Sequence, residues 1–282
     1  MQICGRQFTD TEIQWLRSQV EEVPGLNRNR LSQMFCRHVS WLKPDGGLKE
    51  MSCRVALLKL QRSGLIELPL PRRTWRARAP IPRTPEGEPA DETVLDAGAV
   101  DIHLELVGPK NRALWNELID RYHYLGFCRT GGAQLRYFVH AGGKVVALLG
   151  FCAAAWRVAS RDAFIGWSAD ERKNQLYRVV DNYRFLILPW IKARNLASRI
   201  LSAVARRLPD DWQERYHYRP VLLESFVESG RFLGTCYKAS NWLCVGETAG
   251  RGKWDRDHRS QKPIKTVWLY PLERRFKEAL CQ

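Results

Sequence analysis

The chain has no run of about 18 consecutive apolar residues, the length a membrane-spanning helix needs, so no membrane partner is expected. Its first residues, Met1-Gln2-Ile3-Cys4-Gly5-Arg6, lack the charged start and apolar stretch of a secretory signal. None of the eight cysteines (Cys4, Cys36, Cys53, Cys128, Cys152, Cys236, Cys244, Cys281) falls in a C-x-x-C pair, which argues against a zinc ribbon and a disulfide framework. They read as reduced cytosolic thiols, mostly small core residues, and a cytoplasmic location is expected. H-E-x-x-H and the phosphate-binding P-loop are missing. No Asp/Glu/His group has metal-ligand spacing, so no metal and no cofactor are expected.

Acidic charge is scarce. Lys and Arg number 45 against 30 Asp and Glu, a net of +15. Residues 1–97 carry +3 of this and residues 98–282 carry +12. Such a field favours polyanions, and DNA is the expected partner. With 45% hydrophobic residues in 282 there is enough apolar mass for one large or two modest domains.

Three helices and an extended tail are expected over residues 1–70. Thr9-Asp10-Thr11-Glu12 fits a capping box ahead of Ile13, Leu16 and Val20. Asn29 is placed to cap a second helix with Leu31, Met34, Phe35 and Val39. Pro44-Asp45-Gly46-Gly47 is a turn. The third helix, Leu48 to about Ser63, carries Met51, Val55 and Leu58 as its apolar face, and Leu65–Leu68 reads as extended. This is a winged helix-turn-helix pattern, whose third helix would present Lys49, Ser52, Arg54, Lys59 and Arg62 to DNA. Six prolines between Pro69 and Pro89, with Arg72-Arg73-Thr74-Trp75-Arg76-Ala77-Arg78 among them, make residues 71–97 a semi-rigid Pro/Arg-rich linker.

From Val100 the pattern alternates. Strands are expected at Val100–Leu106, Leu135–Val139, Val145–Phe151, Val179–Leu188, Val221–Val227, Leu243–Glu247 and Thr266–Leu272. Helices are expected from Pro109 to Tyr122, from Asn195 to Leu208 and at Gly234–Asn241. Ala141-Gly142-Gly143 marks a hairpin. The order β-α-β-β-β-α-β-α-β-β is similar to the GNAT acyltransferase fold, and Cys236 to Thr248 sits where those proteins carry an F-Y-E-K-x-G-F-like segment. The predicted class is therefore α+β: a winged helix-turn-helix-like domain, the linker, and a GNAT-like mixed-sheet core over 98–282. The resemblance implies an acyl-CoA loop at Lys192-Ala193-Arg194-Asn195-Leu196-Ala197. Asn195 stands there in place of a glycine, and a side chain would crowd the backbone approach, so weak acyl-CoA binding is expected.

Several stretches together resemble the Druantia anti-phage protein A family, also met beside transposases. They are Leu48–Arg54, Tyr122–Gly126, Gln134–Tyr137, Ala154–Arg157, Phe164–Trp167, Arg184–Pro189, Gly234–Trp242 and Gly250–Gly252. The resemblance implies a role in phage defence or mobile DNA, with a possible partner protein from such a system.

Among single residues, Cys236 follows Gly234-Thr235 at the start of a short helix, where the dipole would lower a thiol pKa. His123 is the base to pair with it, Tyr237 a second nucleophile candidate, and Glu224 a base candidate. Arg136, Arg157 and Arg184 sit in or beside apolar strands as phosphate forks, near Trp156, Trp167, Trp190 and Trp242. Arg–Trp interleaving suits a single-strand groove. Lys192, Arg194, Asn241 and the basic loop with Arg251 and Lys253 complete the expected DNA contacts. The leading expectation is a protein that binds and cleaves or joins single-stranded DNA without ATP. The alternatives are a non-catalytic DNA-binding module and an N-acyltransferase using acyl-CoA.

Overall fold

In the computed structural model, which describes residues 2–71, 80–95, 101–250 and 262–282, Met1–Ala79 and Pro80–Gln282 form separate compact units. The first unit begins with a two-strand hairpin, β1 (Gln2–Ile3) and β2 (Arg6–Gln7), followed by α1 (Asp10–Glu22), α2 (Arg28–His38) and α3 (Glu50–Arg62). The Thr9 capping box forms: its hydroxyl accepts from Glu12 N–H and the Glu12 carboxylate accepts from Thr9 N–H. Arg6 clamps the same Glu12 through two bonds of 2.6 and 2.8 Å. Asn27, not Asn29, caps α2, accepting from the N–H groups of Asn29 and Arg30.

α3 is rotated from its expected orientation. Cys53, Ala56, Leu57 and Leu60 are buried against Leu31, Phe35 and Cys36, whereas Met51, Val55 and Leu58 are 65, 44 and 36% exposed. Both sets have helical spacing, so periodicity alone does not choose. The smaller Cys and Ala side chains sit on the packed face. Leu65–Leu68 forms no strand, and only one bridge, Leu42 to Leu48, precedes α3. The wing expected after the third helix is not formed among the described residues.

The second unit opens with β3 (Thr93–Val94), β4 (Ile102–Leu106), α4 (Arg112–Tyr122), and the hairpin β5 (Gln134–Ala141) and β6 (Lys144–Ala153). Two helices absent from the sequence expectation follow, α5 (Ala159–Ile165) and α6 (Ala169–Gln175). Then come β7 (Val179–Ile187), β8 (Ile191–Lys192), α7 (Leu196–Tyr216), β9 (Leu222–Glu228), α8 (Thr235–Ala239), β10 (Leu243–Glu247), β11 (Lys265–Pro271) and α9 (Phe276–Leu280). Seven strands form one mixed sheet in the order β10-β11-β9-β7-β6-β5-β4. All its pairings are antiparallel except β7 with β9. The main core, including Trp115, Tyr137, Phe151, Leu201 and Trp212, joins the sheet to α4 and α7. A second cluster around Val158, Ile165, Val179, Val267 and Phe276 includes residues of α5 and α9. α7 runs eight residues beyond Leu208, through Pro209, because Leu208 and Trp212 are fully buried and their packing outweighs the local cost of proline.

The Pro-rich segment is not a free spacer throughout. Residues 80–95 belong to the second unit. Thr84 donates its N–H and hydroxyl to Glu117 at 2.7 and 2.8 Å, and the Tyr122 hydroxyl donates to Gly87 O. A Cβ at Gly87 would collide with the Glu117 carboxylate. β3 then pairs in parallel with β8. The basic stretch 72–78, the start of the strand expected at Val100, and Arg251 and Lys253 lie outside the described residues. Among the described residues no helix is long and apolar enough to cross a membrane.

Candidate active-site cleft

β7 and β9 pair in register at three positions only, Val179 to Leu222, Val180 to Leu223 and Asp181 to Glu224. Beyond them the strands part. The backbone of β7 from Asn182 to Ile187 has no strand partner on its β9 side. Buried backbone groups at such a fork need partners; the Ser225 hydroxyl supplies one to Asn182 O, and the Asn182 amide donates to Arg184 O at 3.0 Å. The Ser225 hydroxyl reaches Asn182 O at 3.3 Å and the Tyr237 hydroxyl at 2.9 Å, and Tyr237 donates to Asn182 Oδ1 at 3.1 Å. The divergence leaves a cleft of about 620 Å³. Its walls carry His123, Asp181, Arg184, Arg231, Cys236 and Lys265, so positive groups outnumber the single carboxylate.

α7 starts beside this cleft, with Ala197 in its wall. Asn195, ahead of the first turn, has φ +59° and makes no side-chain cap. Asn tolerates the left-handed region better than most residues, so it provides here the backbone shape expected of a glycine. The N–H groups of Leu196, Ala197 and Ser198 have no acceptor among the described residues, and they lie at the positive end of a 21-residue helix.

The titratable groups of the cleft differ from the sequence expectation. Burial pushes the Cys236 thiol up, not down; α8 has five residues, and its dipole does not offset the lost hydration. Burial and the nearby Arg184 and Arg231 charges pull His123 down to about 4, so its imidazole is neutral. Its Nδ1 accepts from Leu125 N–H at 3.2 Å, which occupies the lone pair a general base would use. Burial also raises Tyr237, whose hydroxyl is engaged with Ser225 and Asn182. Glu224 is fully buried and held at 2.7 Å by Arg161, also fully buried, while Ala155 N–H donates to its other oxygen. It faces no open space.

Asp181 is the residue that sequence reading missed. Burial first, then the neighbouring Glu224, raises its carboxyl well above the ordinary aspartate range. Its Oδ1 is buried without a hydrogen-bond partner, and the residue lines the cleft where the strands part. The available signal was the single acid of the strand, directly after Val179-Val180.

The other expected contacts do not gather into one groove. Arg184 lines the cleft but donates to Gly126 O and Tyr183 O. Lys192 pairs with Glu92 at 2.6 Å, and Arg194 and Asn241 are exposed. Trp242 is buried edge-on to Tyr237, Trp167 is buried on Asp162, and Trp190 is half-buried against Tyr122, so none of the three offers a free stacking face. Trp156 and Arg157 are exposed after β6, with Arg172 over the Trp156 ring. Arg136 opens onto a different cavity. Lys49, directly ahead of α3, and Arg54, on it, are both half-buried in the first unit.

The family model described as Druantia protein DruA matches residues 59–266. The chain belongs to the DruA family. Membership supports a role in anti-phage defence. No curated protein matches the chain significantly. Solved structures similar to this DruA-family chain include the ribosomal-protein-S18-alanine N-acetyltransferase of Escherichia coli, at 9% identity and TM-score 0.38, covering 61% of this chain and 95% of that one. A GNAT-family acetyltransferase of Streptococcus pneumoniae is 11% identical with TM-score 0.40, covering 61% and 100%. The aminoglycoside acetyltransferase AAC(6')-Ib with ribostamycin and coenzyme A is 10% identical with TM-score 0.40, covering 63% and 96%.

Proposed function

We propose that this chain is an acyl-group-transfer protein of phage defence, with the cleft between β7 and β9 as the seat of an acyl-CoA-type donor. One observation carries the reading. Two parallel strands part after three residue pairs and leave a backbone edge without a strand partner beside the open N-terminus of a long helix. An extended ligand with amide groups pairs with such an edge, and its phosphates suit the helix N-terminus. Lys192 and Arg194 precede that terminus, and Asn195 holds the left-handed backbone shape of a glycine there.

In the reaction an acceptor amine attacks the thioester carbonyl. The C–S bond breaks, the thiolate leaves, and the amine proton is passed on to it. Asp181, at the fork, is the group placed to carry that proton, and burial beside Glu224 raises its carboxyl. The test is calorimetry with acetyl-CoA on the full chain. Micromolar binding that Ala197→Trp abolishes is expected; no heat at millimolar acetyl-CoA would overturn the reading.

A second reading, DNA contact without catalysis, is supported by the +12 net charge of residues 98–282. It predicts affinity that falls by about 0.7–0.9 log units per log unit of salt for each phosphate contact. Strand cleavage by Cys236 or Tyr237 draws no support from the raised thiol, the neutral His123 and the engaged phenol.

A further inference from the structure

A second cavity, of about 570 Å³, lies where the start of β5 meets the N-terminus of α4. Four arginines line it, Arg112, Arg129, Arg136 and Arg215, and no carboxylate does. Arg112 and Arg129 make no hydrogen bond or ion pair among the described residues, and both are exposed, as is Arg215. Four converging cations without a counter-charge repel one another, and the folded chain keeps them together.

Arg136 is held in place. Asn116 Oδ1 and Gln134 Oε1 each take one of its donors, at 2.8 and 2.9 Å, and its guanidinium lies over the rings of Trp115 and Phe127 at 4.7 and 5.5 Å. Both partners are neutral amides, so the charge is oriented but not neutralised. Its buried Nε has no acceptor. α4 adds to the same field: Asn111 spends its side chain on Gly108 N–H and Glu105 and does not cap the helix. A fixed guanidinium on an aromatic bed, three further arginines and an open helix start form an anion site of nucleotide size.

We propose that this four-arginine pocket binds the phosphate of a nucleotide, either free or within a single strand, independently of the β7–β9 cleft. The test uses the full chain at fixed salt and a fluorescent 5′-phosphorylated oligothymidylate, with ATP and pyrophosphate as competitors and as ligands in calorimetry. Arg129→Glu and the double variant Arg112→Ala/Arg129→Ala change exposed side chains, and thermal melting confirms their fold. Arg274→Glu, exposed and outside the pocket, controls for net charge. The pocket variants are expected to weaken binding at least about tenfold, and Arg274→Glu less than about twofold. Displacement of the strand by ATP identifies a free-nucleotide phosphate site. Pocket-dependent strand binding that ATP and pyrophosphate leave intact identifies a site for the strand's own phosphates. Equal losses in Arg129→Glu and Arg274→Glu, or no binding of any of the three probes to the native chain, overturns the proposal.

Discussion

Asp181 and Glu224 stand opposite each other in register across the β7–β9 ladder, and Arg161 bonds to Glu224 but not to Asp181. The unfolded chain loses the Asp181 proton near the ordinary aspartate value, while the folded chain holds it to higher pH. Folding therefore grows costlier as pH rises from the unfolded value through the raised folded one. Asp181→Asn removes that cost. Its melting temperature is expected to exceed that of the native chain at pH 7–9 and to converge on it at and below about pH 4. Acyl transfer is expected to be lost in the same variant. A melting-temperature difference that does not change with pH would contradict the assignment.

Arg161 and Glu224 are both fully buried. Removing Arg161 strands the Glu224 carboxylate and takes one of two arginine partners from Asp162. Arg161→Leu is expected to destabilise the fold by about 3–5 kcal/mol, and Arg161→Leu/Glu224→Leu to recover part of that loss. Denaturant unfolding of the three proteins measures both quantities.

The segment from Thr84 to Leu95 is tied to α4 through Glu117. Burial alone would raise that carboxyl, but Thr84 and Arg121 hold it below the usual range. The contribution is present above the unfolded glutamate value and is lost as pH falls through the lower folded one. Glu117→Ala leaves the Thr84 N–H without its acceptor and is expected to cost about 1–3 kcal/mol. Faster tryptic cleavage after Arg83 would report the loosened segment.

The raised Cys236 thiol predicts slow alkylation at neutral pH. Iodoacetamide labelling at this position, followed by mass spectrometry, is expected to lag behind exposed Cys4 and Cys244 and to accelerate only in alkali. Cys236→Ala is expected to retain acyl transfer and to cost about 1 kcal/mol in packing. Rapid labelling at pH 7 would restore the thiol as a nucleophile candidate.

Tyr237→Phe removes the hydroxyl that joins Ser225 to Asn182 at the fork. Two buried partners then lose a bond, with an expected cost of about 1–3 kcal/mol. Weaker acetyl-CoA binding without a change in its pH dependence would mark a positioning role.

The alternation of apolar runs, the hairpin glycines and the Thr9–Glu12 box are local signals, and local physics is enough to realise them. The strands at 135–151, 179–187 and 243–247 and the start of α1 follow directly from it. Which face of α3 turns inward was not local: two apolar stripes of equal spacing competed, and packing against α2 decided. α5 and α6 lie between β6 and β7, each seven residues long and α6 without a buried residue, so neither carries an amphipathic stripe long enough to read. The sequence alone determined the succession of the main strands along the chain and its excess of positive charge. Only the tertiary structure decided where that charge gathers and which acid is left unpaired. Asp181 becomes special through Glu224, 43 positions away, and Arg136 through Arg112, Arg129 and Arg215, because burial and Coulomb interactions depend on distance in space and not along the chain.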